Sequence, residues 1–236
     1  MEGIIMAGKG SIVEFMCDGG YAAGYLIEPV GDGKYAAIIV IHEWWGLNEH
    51  IKNVANRFAE SGYVTLAPDL YAGNVTKDAD EAGRLMSNLD RGYALGVLNG
   101  AIEYLKTLER VDEVRIGVTG FCMGGTYALA LACDSEGIKA AAPFYGDVVS
   151  DDELKKLSSP ILFIGAENDF WITMDKMSGL RAKLVEFGKQ GEVKIYSGVG
   201  HAFFNDTRSE VYSQEASEDA WKRVTAFFAK YLYDLG

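Results

Sequence analysis

Cys122 lies in Gly120-Phe121-Cys122-Met123-Gly124-Gly125, between a β-branched apolar run ending at Thr119 and a helical pattern that begins near Met123. Gly-x-nucleophile-x-Gly at a strand-to-helix junction is the nucleophile elbow, here with Cys where Ser is usual. The chain must turn sharply, so small residues are needed on either side. The turn lifts the side chain above the sheet and aims the following N–H, that of Met123, at an oxyanion. A helix N-terminus beneath a thiol also favours the thiolate, its reactive form.

Such a nucleophile needs a base and an orienting acid, in the chain order nucleophile, acid, histidine. Of the three histidines, His42, His50 and His201, only His201 follows Cys122. It sits in the glycine-rich Ser197-Gly198-Val199-Gly200-His201-Ala202-Phe203, directly after the last expected strand. The acid belongs at the end of the preceding strand, where Gly165-Ala166-Glu167-Asn168-Asp169 offers two carboxylates. Asp169 lies deeper in the turn and is preferred to Glu167. A loop His is ordinarily solvated and a loop Asp ordinarily caps a turn. Three such groups in this order at three strand ends point instead to thiol-dependent acyl transfer.

His42-Glu43-Trp44-Trp45-Gly46-Leu47-Asn48 follows another strand. A zinc motif would need a second His where Gly46 stands. The loop is where an α/β-hydrolase places its second oxyanion N–H, which Trp44 is positioned to supply. Glu43 has two readings, a carboxylate near the thiol or one on the surface. Val30-Gly31-Asp32-Gly33-Lys34 has only a superficial likeness to a phosphate loop and reads as a hairpin turn. Cys17 and Cys133 read as packing residues.

The elements that must position these groups alternate between apolar strands and amphipathic helices. Residues 36–41 are apolar throughout, as a strand covered on both faces should be. Asn48 caps a helix with Ile51, Val54, Ala55 and Phe58 on one face, and Gly62 ends it. Residues 63–67 form the next strand, 79–108 a long helical stretch, 114–119 a strand and 123–133 a helix. Strands at 140–144 and 161–164 follow. Met177, Leu180, Leu184 and Phe187 mark a helix face closed by Gly188, and residues 193–196 are the last strand. Trp221, Val224, Phe228 and Tyr231 stripe the C-terminal helix. Residues 11–29, with Gly19-Gly20 inside, read as edge strands. The repeating order predicts an α/β fold, a mostly parallel central sheet with helices on both faces and ligands beyond the strands' carboxyl ends.

The chain has 236 residues, 49% apolar and 24% charged, which excludes a disordered, fibrous or disulfide-stapled protein. No linker, repeat or composition shift divides it, so one domain over residues 1–236 is expected. A net charge of −12 repels phosphate backbones and disfavours nucleic acid. No apolar run reaches membrane-spanning length. Residues 1–10 lack a basic segment before a long apolar core, so no signal peptide is expected. Three cysteines in no paired spacing suit free thiols and a cytoplasmic location.

Taken together, His-Glu43-Trp-Trp-Gly-Leu-Asn, Ala67-Pro68-Asp69-Leu70-Tyr71, Gly-Phe-Cys122-Met-Gly-Gly, Phe144-Tyr145-Gly146, Gly-Ala-Glu-Asn-Asp169 and Gly-His201-Ala-Phe resemble the dienelactone hydrolase family over nearly the whole chain. The resemblance implies an α/β-hydrolase fold and a triad of Cys122, His201 and Asp169. The family's named activity, carboxymethylenebutenolidase, opens an unsaturated lactone to maleylacetate. Its members bind the substrate carboxylate with arginines. Arg208 is the candidate here, with Arg84 and Arg91 as further positions, and Tyr145 of the Phe-Tyr-Gly motif is a second substrate-binding candidate. The expectation is a cofactor-free and metal-free thiol hydrolase, a monomer or weak homo-oligomer, acting on a small lactone or ester. A broad-range carboxylesterase is one alternative. A ligand-binding protein that kept the fold without the chemistry is another.

Overall fold

A computed structural model describes residues 6–233; residues 1–5, where the expected lack of a signal peptide falls in part, lie outside the described residues. The strands are β1 (Ser11–Cys17), β2 (Gly20–Ile27), β3 (Tyr35–Ile41), β4 (Val64–Pro68), β5 (Val111–Phe121), β6 (Ile138–Phe144), β7 (Ile161–Asn168) and β8 (Gly191–Gly200). The helices are α1 (Glu49–Glu60), α2 (Ala79–Asn88), α3 (Arg91–Thr107), α4 (Met123–Asp134), α5 (Asp151–Leu154), α6 (Met174–Glu186) and α7 (Gln214–Leu232). The sheet order is β1-β2-β4-β3-β5-β6-β7-β8. The chain divides into two compact units, Met1–Gly117 and Val118–Gly236, and β5 runs through the boundary. Among the described residues no helix is long and apolar enough to cross a membrane.

In the first unit β1 and β2 form an antiparallel hairpin with Cys17 opposite Gly20. Gly19 and Gly20 take φ of +94° and +141°, conformations that only glycine adopts without strain. β2 then pairs antiparallel with β4, and β4 parallel with β3. Of these two strands β1 alone lies at an edge of the sheet; β2 is flanked on both sides. The same order corrects the reading of residues 30–34, because β4 separates β2 from β3 and the loop joins strands that are not neighbours. Residues 36–41 of β3 are each 0% exposed, and each isoleucine buried there contributes about 1.5–3 kcal/mol. α1 packs on β3 and β4. It starts at Asn48, whose side-chain oxygen accepts from Ile51 N–H at 3.2 Å, and buries Ile51, Val54, Ala55 and Phe58.

The expected long helix over 79–108 is two. Leu89 and Asp90 are extended, with ψ of 109° and 130°, and the Asp90 carboxylate caps α3 by accepting from Tyr93 N–H at 2.8 Å. A short acceptor side chain offers the backbone a helix start that competes with continuing the first helix.

In the second unit β6, β7 and β8 are parallel neighbours. Thr119 donates its hydroxyl to the Ala142 carbonyl at 2.7 Å, tying the end of β5 to β6. α4 packs on β6, α6 on β8 and α7 on β6 and β7. α5 was not anticipated: at four residues it is too short to show a period, and a Ser150–Glu153 capping box holds it. The ends of β5, β7 and β8 all open into the second unit, and there the candidate chemistry gathers.

Candidate active site

Cys122 stands between β5 and α4 with φ 57° and ψ −119°. A non-glycine residue there costs about 1–3 kcal/mol and persists only where its surroundings impose it. The surroundings do so. Cys122 N–H donates to the Phe144 carbonyl at 3.1 Å, and its own carbonyl accepts from Gly125 and Thr126 N–H at 3.0 and 3.2 Å. Gly125 and Gly146 let the elbow and the turn after β6 meet backbone to backbone. A Cβ on Gly125 would fall on the Phe144 carbonyl oxygen, and one on Gly146 on the main chain of Gly125 and Thr126. Thr126 Oγ1 accepts from Asp147 N–H at 2.8 Å and closes the join. Cys122 is only 7% exposed and Met123, which heads α4, 3%. The elbow therefore presents its thiol within the protein rather than to bulk water.

His201 follows the last residue of β8, and its Nδ1 lies 2.6 Å from Asp169 Oδ2. Asp169 sits just past β7, so adjacent parallel strands deliver the two side chains to the same end of the sheet. The other carboxylate oxygen, Oδ1, accepts from Trp171 N–H at 2.8 Å and Ile172 N–H at 2.9 Å. Burial alone pushes the Asp169 carboxyl up. The His201 hydrogen bond and charge, with the two backbone N–H groups, outweigh burial and hold it below the usual carboxylate range. An ionised Asp169 fixes the proton of a neutral His201 on Nδ1 and leaves Nε2 as the acceptor. Nε2 is buried and has no hydrogen-bond partner among the described residues. Glu167, the other carboxylate of the loop, accepts from Gly198 N–H at 2.8 Å on β8.

Three rings surround His201. Tyr145, wholly buried and at φ 36°, has its centroid 5.0 Å away. Trp171 is 5.5 Å away and Phe170 6.4 Å. Phe170 and Trp171 were not singled out from the sequence, although an aromatic pair directly behind the candidate acid was a visible signal.

In the first unit, residues 42–46 leave β3 through a turn closed by Gly46 N–H to the Glu43 carbonyl at 3.2 Å. Glu43 is 1% exposed, which removes its reading as a surface carboxylate. Trp44 is half-buried in this turn, its ring 4.7 Å from that of Trp45. His42, which the sequence had only excluded from zinc binding, clips the turn in place. Its Nδ1 lies 2.6 Å from the Glu43 carbonyl and its Nε2 accepts from Leu70 N–H at 3.1 Å. Burial holds the His42 imidazole below its usual range, only partly opposed by the Glu43 carbonyl and the Asp69 charge.

The candidate arginines are less distinctive. Arg208 Nε donates to Glu210 Oε1 at 2.8 Å with the side chain 34% exposed. Arg84 pairs with Glu81, one turn earlier on α2, and Arg91 is exposed at the start of α3. Among the described residues, no three His, Cys, Asp or Glu side chains gather as metal ligands would.

Residues 22–232 match the Dienelactone hydrolase family. A relative named Protein usf, from Aquifex pyrophilus, is 37% identical over 233 residues, spanning 94% of this chain and 99% of its own length. Another, named "Putative carboxymethylenebutenolidase", from Aquifex aeolicus, is 34% identical over 236 residues, with 94% and 99% covered. A crystal structure titled "Putative Dienelactone Hydrolase", from Klebsiella pneumoniae, superposes with a TM-score of 0.88 at 28% identity, covering 97% of this chain and all of that one. Fold, motifs and relatives converge, and the chain belongs to the dienelactone hydrolase family of α/β-hydrolases.

Proposed function

We propose that this hydrolase opens a lactone or cleaves a small carboxylic ester through a thioester on Cys122. The observation that carries the reading is His201: one ring nitrogen is held by an ionised Asp169 and the other is buried with no hydrogen-bond partner among the described residues. An imidazole so oriented is a general base in waiting, and catalytic hydrogen bonds commonly tighten only once substrate is in place.

His201 Nε2 takes the Cys122 thiol proton as sulfur attacks the carbonyl carbon. The Met123 N–H, at the positive end of the α4 dipole, stabilises the tetrahedral oxyanion. Trp44 is assigned the second donor from its place in the turn after β3. The intermediate collapses by breaking the carbon–oxygen bond, and His201 returns the proton to the departing alkoxide or enolate. Water then attacks the thioester with His201 as base, releasing the carboxylic acid and the thiol. Glu43 is assigned an influence on thiol ionisation from its place in the family motif. Arg208 is assigned to a substrate carboxylate, and Tyr145 to the wall that the substrate and His201 share.

Incubation with an activated aryl ester and a panel of unsaturated lactones tests this. Wild type should turn over at least one of them, and intact-mass analysis of quenched reactions should show an acyl adduct on Cys122. Undiminished turnover in Cys122→Ala overturns the reading.

A further inference from the structure

Phe170 is 88% exposed, although it is a large aromatic side chain directly behind a buried carboxylate. The backbone of the turn that holds it out is pinned by hydrogen bonds. Asp169 Oδ1 accepts from both Trp171 and Ile172 N–H, so the carboxylate that engages His201 also fixes the backbone of residues 169–172. Thr173, which caps α6 by accepting from Lys176 N–H at 3.4 Å, fixes the next step of the chain. Phe170 and Trp171 are thus presented by the acid's own turn, with centroids 6.4 and 5.5 Å from the His201 ring.

We infer that Phe170, with the adjacent Trp171, selects the leaving group, favouring esters whose departing oxygen is carried by a flat, conjugated group such as an aryl alcohol. The inference rests on the proposed function and deepens it. Asp169 occupies Nδ1 of His201, so the proton returned to the leaving oxygen comes from Nε2. A proton transfer needs that oxygen within roughly 3 Å of the nitrogen. The rest of the leaving group then lies near the His201 ring, which Phe170 and Trp171 flank together with the buried Tyr145. Rings stack face-offset or edge-on at centroid separations of roughly 4.5–7 Å, and the attraction exceeds what burial alone gives. An aliphatic alcohol in the same place gains contact area without that aromatic geometry. The hydrogen-bonded turn fixes the backbone from which both rings project, so the contact orders side-chain rotamers and not the chain.

Two acetate esters with leaving alcohols of matched acidity, one a phenol and one a fluoroalkyl alcohol, separate this from intrinsic reactivity. Phe170→Ala should lower kcat/KM for the aryl ester by roughly three- to tenfold and leave the fluoroalkyl ester within roughly twofold. Phe170→Tyr should restore the aryl preference. Phe170 is exposed, so the variants should keep the wild-type Tm. Equal losses on both esters, or none on either, overturn the inference while leaving the thiol mechanism standing. Turnover of both esters that persists in Cys122→Ala overturns the mechanism itself. A wild-type enzyme that hydrolyses neither ester but opens a lactone overturns the inference alone.

Discussion

Asp169 and His201 are joined by a 2.6 Å Oδ2···Nδ1 hydrogen bond, while the second oxygen of the same carboxylate is taken up by two backbone N–H groups. One side chain therefore sets both the tautomer of the imidazole and the shape of the turn beside it. Asp169→Asn separates these roles. The amide oxygen can still accept from Trp171 and Ile172, so the turn should survive. The amide nitrogen would face Nδ1 as a donor and force the proton onto Nε2, where it blocks base action. Turnover should fall by about 10³- to 10⁴-fold, as for the corresponding change in serine proteases, with far-UV CD unchanged. Near-full activity in Asp169→Asn would remove the carboxylate from the mechanism.

The depressed Asp169 carboxyl also has a consequence for acid stability. A group ionising more readily folded than unfolded adds stability above its unfolded value, about 3.9, and loses it as pH falls through the lower folded value. Wild type should thus lose more stability than Asp169→Asn between pH about 5 and 2, read from urea midpoints. Parallel curves would show that the carboxyl is unperturbed.

Much of this arrangement was legible in the sequence, and the reasons are particular. Residues 36–41 are apolar without alternation because β3 is buried on both faces. Asn48 marked the start of α1 because its side chain does the capping. Asp169 and His201 follow successive strands, β7 and β8, which are parallel neighbours, so chain order already brought their loops together. The break at Leu89-Asp90 was hidden because both flanking segments keep helical periodicity, and only the Asp90 cap decides the matter. The place of residues 30–34 depended on β4 inserting between β2 and β3, a fact of tertiary pairing. The rings about His201 come from two separate turns, the one holding Tyr145 after β6 and the one holding Phe170 and Trp171 after β7, and no local pattern announces their meeting.

His42 should make the fold sensitive to mild acid. Its folded-state affinity for protons is lowered by burial, so the unfolded chain binds a proton first as pH drops. Stability from this group is complete above the unfolded value, about 6.5, and declines below it by at most about 1.4 kcal/mol per pH unit until the folded value is reached. His42→Gln should be less stable than wild type at pH 8 because two buried partners, the Glu43 carbonyl and Leu70 N–H, lose their shared ring. The gap should narrow toward pH 5. A constant gap would mean that His42 does not titrate between the two states.

Alkylation should distinguish the cysteines by consequence rather than by rate alone. Cys17 is partly exposed, but burial and the Asp18 charge push its thiol up, which slows attack. Cys133 is buried. Loss of activity under limiting iodoacetamide should follow label on Cys122, as read by peptide mapping. Full inactivation with label only on Cys17 or Cys133 contradicts the assignment.

Arg208 already shares its charge with Glu210, so its pull on an anionic substrate is smaller than that of an isolated guanidinium. Arg208→Ala should raise KM about tenfold for a carboxylate-bearing lactone, the equivalent of about 1.4 kcal/mol, and leave a neutral aryl ester unaffected. Glu210→Gln should act in the opposite sense on the lactone. Equal changes for both substrates would assign Arg208 to structure alone.

The close backbone approach behind the elbow gives the sharpest stability test. An added methyl at Gly146 meets the main chain of Gly125 and Thr126, which cannot swing aside as a flexible side chain would. Gly146→Ala should therefore cost at least about 2–3 kcal/mol, which for a chain of this size lowers Tm by about 5–10 °C. Gly179, within α6, supplies the matched control, because a Cβ there meets nothing within 4 Å. Gly179→Ala should stabilise by about 0.4–1 kcal/mol, since alanine has less backbone freedom to lose on folding. If the two substitutions shift Tm alike, the contact between the elbow and the turn after β6 is not what holds Cys122 at its positive φ.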